Sequence, residues 1–85
     1  MKEIKHVIKD PLGIHARPAG RMVKVASKFE CDIRIGTPLK MVNAKRIIGV
    51  MTLALKQGSE ATLHFSGADE EEAAAAIGKF LEDSF

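Results

Sequence analysis

One run of eight residues, Gly13-Ile14-His15-Ala16-Arg17-Pro18-Ala19-Gly20, constrains this chain more than any other, because it contains a change from loop to helix at a definite place. Proline lacks a backbone N–H and presets its own φ, so it suits the first turn of a helix, where that N–H would have no partner. From Ala19 onward, Ala19, Met22, Val23, Ala26 and Phe29 recur at helical spacing while Arg21, Lys24 and Lys28 point elsewhere. This predicts an amphipathic helix running to about Phe29. His15 then stands at the helix N-terminus, where free N–H groups and the positive end of the dipole favour an anion. Arg17 adds a planar fork of donors suited to phosphate oxygens. Beside the plain reading of a surface histidine next to an arginine stands a sharper one, in which His15 is a reactive centre whose ring nitrogen carries a phosphoryl group and hands it on.

Around this segment the hydrophobic pattern divides the chain into short elements. Alternation from Glu3 to Lys9 predicts a first strand, with His6 toward the buried face in a structural role, hydrogen-bonded or at a sheet edge; Asp10-Pro11-Leu12-Gly13 breaks it. Asp32-Ile33-Arg34-Ile35 and Leu39-Lys40-Met41-Val42-Asn43 read as two strands of a hairpin. Pro38 and Leu39 both resist the positive φ of the usual two-residue hairpin turn, so this turn departs from that form. Ile47, Ile48, Val50, Met51, Leu53 and Leu55 are too closely spaced for one face of a short helix, and in a domain this small some must face solvent. After a turn at Lys56-Gln57-Gly58-Ser59, Ala61, Leu63 and Phe65 alternate with Thr62, His64 and Ser66 in a last strand that points His64 to solvent. Asp69 is placed to cap a final helix, with Glu72 three residues on and Ala73, Ile77, Phe80, Leu81 and Ser84 along one side. The order strand-helix-strand-strand-helix-strand-helix predicts an α+β two-layer sandwich with helices on one face of the sheet.

Eighty-five residues make one domain, 1–85, without Trp or Tyr and with four Phe, so the core is aliphatic. Thirteen Lys+Arg against eleven Asp+Glu give a net charge of +2, too small for the basic stripe of a nucleic-acid binder, and no basic-aromatic alternation is present. A single cysteine, Cys31, cannot form an internal disulfide, and no His/Cys group has zinc-ligand spacing, so neither a metal nor a cofactor is expected. The first residues lack a signal-peptide hydrophobic run and no apolar stretch approaches a membrane span, which predicts a cytoplasmic protein that does not insert into membranes. Gly20 costs its helix roughly 1 kcal/mol against alanine, a cost that close approach of a partner would explain.

The run Gly-Ile-His-Ala-Arg-Pro-Ala closely resembles the active-centre signature of the HPr family, the histidine-containing phosphocarriers of the bacterial sugar phosphotransferase system. The similarity extends over nearly the whole chain, including Ile47-Ile48-Gly49-Val50-Met51 and Gly67-Ala68-Asp69-Glu70. It implies a four-stranded antiparallel sheet in the order 1-4-2-3. It further implies that His15 accepts a phosphoryl group on Nδ1 from enzyme I and passes it to sugar-specific A components, with Arg17 stabilising the phosphate. The chain is then a carrier with a phosphohistidine intermediate, not a stand-alone enzyme, and is expected to work as a monomer. By the same resemblance the active-centre region and the short second helix form the surface that docks partner proteins, with Ala16, Gly20, Arg46, Ile47, Ile48 and Met51 as its residues. A neutral imidazole is the nucleophile in such a transfer.

Two positions depart from the family pattern. Leu12 stands where many relatives have a polar residue able to bond the phosphate, leaving backbone N–H groups and Arg17 to hold it. Arg46 stands where regulated relatives carry a phosphorylatable serine, which questions regulation and leaves carriage untouched. A cation is also poorly placed at the positive end of a helix, so the second helix is expected to start weakly, while the Lys45-Arg46 pair suits an acidic enzyme I surface. The alternative function is a regulatory carrier or protein-binding module of the same fold, for example in a nitrogen-related phosphotransferase branch, acting on regulatory proteins.

Overall fold

A computed structural model describes all residues, 1–85. The elements are β1 (Lys2–Val7), α1 (Ala16–Ala26), β2 (Asp32–Thr37), β3 (Lys40–Asn43), α2 (Ile47–Met51), β4 (Glu60–Ser66) and α3 (Glu70–Ser84). The four strands form one antiparallel sheet in the order β1-β4-β2-β3, as the family resemblance implied. Alternation fixes which side of each strand is buried: Ile33 and Ile35 of β2 face Phe65 and Leu63 of β4 in register, and all four are fully buried. Against them pack Met22 of α1, Val50 of α2 and Ile77 and Leu81 of α3, each also fully buried. Every such side chain contributes about 1.5–3 kcal/mol by leaving water. The opposite face of the sheet stays polar, and there His64 bonds Glu3 Oε2 at 2.7 Å.

Several element ends differ from the sequence expectation for identifiable reasons. α1 stops at Ala26, not Phe29; Ser27 to Phe29 continue as turns, and the Lys45 ammonium donates to the Phe29 carbonyl at 2.6 Å. Lys45 is therefore spent on the end of α1 and does not form a free cationic pair with Arg46. β1 is shorter than Glu3–Lys9, although Ile8 remains buried beyond it and its N–H donates to Ser59. His6 lies half-buried on β1, an edge strand, with its Nε2 buried and without a partner, so its role is the edge-strand one. The β2–β3 connection does have two residues, Pro38 and Leu39, since Thr37 pairs with Lys40. Neither has a positive φ, as their side chains require. Gly36 precedes this turn because any Cβ there would lie 2.0 Å from the Lys40 carbonyl oxygen.

Candidate active site

The segment before α1 is held by its own polar groups. Asp10 closes a small turn by accepting the Leu12 N–H on Oδ1 at 2.9 Å. Gly13 follows in the left-handed region, φ +68°, and presses against Leu55, whose carbonyl oxygen a Cβ would meet at 2.3 Å. The next N–H, from Ile14, donates to that same carbonyl, and the Ile14 side chain is buried. With Gly13 and Ile14 pinned, His15 has a fixed position and becomes the N-cap of α1, its backbone extended at φ −132° and ψ 172°. Its side chain does not cap the helix. Instead the ring turns back to Asp10, with Nε2 3.1 Å from Oδ2.

That contact decides the tautomer. A carboxylate only accepts, so Nε2 carries the proton and donates it, and in the neutral ring the Nδ1 lone pair is left free. Asp10 remains ionised because the Leu12 N–H, and next the His15 ring, hold its carboxyl below the usual carboxylate range. Sequence reasoning used Asp10 only as a strand breaker and missed this role; its place five residues before His15, across a proline turn, was the available signal.

The start of α1 is open. Pro18 has no N–H and Ala19 donates to the His15 carbonyl at 3.0 Å, so the N–H groups of Ala16 and Arg17 have no partner within the helix. The first turn contains no acidic residue. His15, Arg17, Arg21, Asp10 and Asp83 line one surface cleft of about 250 Å³. His15 and Arg17 are thus brought together, with Arg17 exposed and in no ion pair within the chain. Leu12 is 74% exposed and supplies no polar group.

Most of the other predicted surface residues gather between α1 and α2. Arg46, Ile47 and Ile48 line a groove with Val23 and Gly49. Ile48 is 76% exposed, while Ile47 and Met51 are exposed to a lesser degree and Val50 is buried beneath them. Gly20 joins this group from α1, since a Cβ there would meet Ile47 Cδ1 at 3.5 Å. Ala16 is exposed at the head of α1. Arg46 occupies the N-cap position of α2 without a side-chain cap, and Asn43 closes the preceding turn by accepting the Lys45 N–H at 2.9 Å. α2 is accordingly only five residues long.

The family described as "PTS HPr component phosphorylation site" matches residues 2–83. Phosphocarrier protein HPr of Lysinibacillus sphaericus is 47% identical over 83 residues, covering 98% of this chain and 94% of that protein. The crystal structure of HPr-C-His from Thermoanaerobacter tengcongensis superimposes with a TM-score of 0.92 at 44% identity, covering 98% of this chain and 93% of that one. A second structure from that organism, an HPr dimer, matches with a TM-score of 0.77 at 44% identity. An open-faced sheet with an uncapped histidine at a helix start is the architecture of the histidine phosphocarriers of the phosphotransferase system. The chain belongs to the HPr family.

Proposed function

We propose that His15 is the residue through which this phosphocarrier works, taking a phosphoryl group from phosphorylated enzyme I on Nδ1 and passing it to sugar-specific A components. The observation that carries the reading is the pairing of Asp10 with Nε2, which leaves Nδ1 as the free nucleophile at the open end of α1. In the transfer, the Nδ1 lone pair forms the new N–P bond while the bond from phosphorus to its donor atom on enzyme I breaks, its electron pair staying with the donor. The proton on Nε2 remains shared with Asp10, and Asp10 offsets the positive charge that the ring gains. The N–H groups of Ala16 and Arg17 and the Arg17 guanidinium offer charge-assisted hydrogen bonds to the phosphoryl oxygens. Nothing here expels the group, so the partner proteins supply the rest of each transfer site. A carrier needs that division, because a phosphoryl group held too firmly could not be passed on.

The docking surface in this reading comprises Ala16, Gly20, Arg46, Ile47, Ile48 and Met51, supported by the exposed apolar groove beside α1. The whole of 1–85 acts as one domain and as a monomer in the cytoplasm. A free buried Cys31 suits a reducing compartment. No helix is long and apolar enough to cross a membrane. The deciding experiment incubates the protein with phosphoenolpyruvate and enzyme I, then measures intact mass and maps acid-labile phosphate. Phosphate on His15 supports the reading, and phosphate elsewhere or none at all refutes it. For the surface, Ile48→Glu should leave the fold intact and weaken association with enzyme I, because a carboxylate would enter an apolar contact unpaired. A stable variant that binds normally would remove Ile48 from the interface.

A further inference from the structure

The cleft beside His15 holds more charge than Arg17 answers for. The backbone N–H groups of Lys9 and Asp10 both donate to the main-chain oxygen of Phe85, which pins the end of α3 against the loop leading to His15. This brings Asp83 into the cleft, so its walls carry two carboxylates, Asp10 and Asp83. The Asp10 carboxylate is engaged by Leu12 and His15, whereas Asp83 has no ion pair or hydrogen-bond partner within the chain. Arg17 alone would leave this wall negative before any phosphoryl group arrived, and a phosphoryl group adds up to two further negative charges.

Arg21 removes that excess. It lies four residues after Arg17 in α1, one turn along the same face, and lines the same cleft. It is exposed and, like Arg17, forms no ion pair within the chain. The donor count points the same way. Three phosphoryl oxygens accept several hydrogen bonds, while the helix start offers only the N–H groups of Ala16 and Arg17, Pro18 offers none, and Leu12 is apolar. We propose that Arg21 is a second phosphate-binding residue, its guanidinium and that of Arg17 holding the oxygens of the phosphoryl group on His15 between them, with Asp83 as the opposing charge that limits how firmly the group is held. The inference rests on the reading that His15 carries the group. It assigns to Arg21 the stabilisation of the charged form and to Asp83 its readiness to leave.

The test charges His15 with phosphoenolpyruvate and enzyme I and follows the phosphoryl group by phosphorus NMR across pH. Removing a neighbouring cation disfavours the dianion, so Arg21→Gln should raise the second phosphoryl pKa by roughly half a unit. It should also lower the fraction charged at equilibrium with enzyme I by roughly threefold. Arg21→Lys should restore most of the titration midpoint, and Asp83→Asn should move it the opposite way. Lys24→Gln, which removes a cation further along α1 and outside the cleft, should leave the midpoint in place. Normal charging with an unchanged midpoint in Arg21→Gln overturns this proposal alone. An equal shift in Lys24→Gln does so too, by showing a diffuse charge effect, as does an Asp83→Asn shift of the same sign as that of Arg21→Gln. Failure of the wild-type protein to take phosphate on His15 overturns the proposal together with the reading beneath it.

Discussion

The starts of α1 and α3 are the same physical object, the positive end of a helix, finished in opposite ways. At α3 the first turn is Glu70-Glu71-Glu72, three carboxylates that complement the dipole. At α1 the first turn has no acid, the N-cap side chain makes no capping bond, and the nearest carboxylate, Asp10, binds the imidazole and the Leu12 N–H, not the N–H groups of α1. α3 thus has its stabilisation built into its own sequence. α1 brings no such group of its own, and a phosphoryl group on His15 would stand in its place. On the proposed reading, the contrast teaches that a carrier site consists of capping withheld: the unspent electrostatics of one helix would become the binding energy for a transient anion.

The largest expected effect comes from removing the atom on which the contrast turns. His15→Ala should abolish phosphoryl acceptance from enzyme I, while His6→Ala and His64→Ala retain it, since neither of those rings stands at a helix start. Intact-mass measurement after charging reads this directly, and equal charging of the His15 variant would end the account. Giving α1 the finish of α3 comes next. Ala16→Glu places an acid in the first turn, which should stabilise the helix by about 0.3–1 kcal/mol. The same carboxylate repels the incoming phosphoryl group, so acceptance should fall roughly tenfold. Denaturation and charging kinetics on one variant must then move in opposite directions; a variant both more stable and equally active would show that the open end of α1 is not what binds phosphate.

At α3 the contrast is sharpened through Asp69. Asp69 holds the N-cap position but makes no side-chain cap; its two oxygens accept the N–H groups of Glu30 and Cys31, both at 2.9 Å. The Glu30 N–H foremost, then the Cys31 thiol and N–H, hold its carboxyl below the ordinary value. Such a group stabilises the fold fully at pH above its unfolded pKa, and the contribution is lost as pH falls through the lower folded value. Asp69→Ala should therefore lower Tm at pH 7, Asp69→Asn by less, and the gap to wild type should close in acid below the ordinary carboxyl range. A gap that persists unchanged there would mean that the carboxylate is not what matters.

Asp69 also shows where legibility stopped. The acidic run, the proline in the first turn and the helical spacing after it were readable because each acts within one or two turns of itself, and they located both helix starts and His15. The strand order came from resemblance alone. Asp69 bonds residues 38 and 39 positions away, and Lys45 reaches back 16 to the end of α1, so no local pattern announces either. The same holds for the free Nδ1, which depends on a turn placing Asp10 under the ring.

The smallest effect tests whether the looseness of α1 belongs to the fold or to its partners. Gly20 lies one turn inside α1, and glycine there costs the helix about 0.5–1 kcal/mol relative to alanine. Nothing in the interior requires it: a Cβ would meet only Ile47 Cδ1, at 3.5 Å, an ordinary contact. Its φ is not in the left-handed region either. Gly20→Ala should therefore raise stability by about that amount, a Tm increase of roughly 2–8 °C for a chain of this size. The added methyl would stand beside the exposed Ile47, on the apolar surface assigned to docking, and so should weaken association with enzyme I by a few-fold while leaving the phosphoryl titration of His15 unchanged. Calorimetry and a binding titration on the same variant separate the two. Higher stability with unaltered association would show that the glycine serves no partner, and lower stability would show that the contact between α1 and α2 is tighter than 3.5 Å allows.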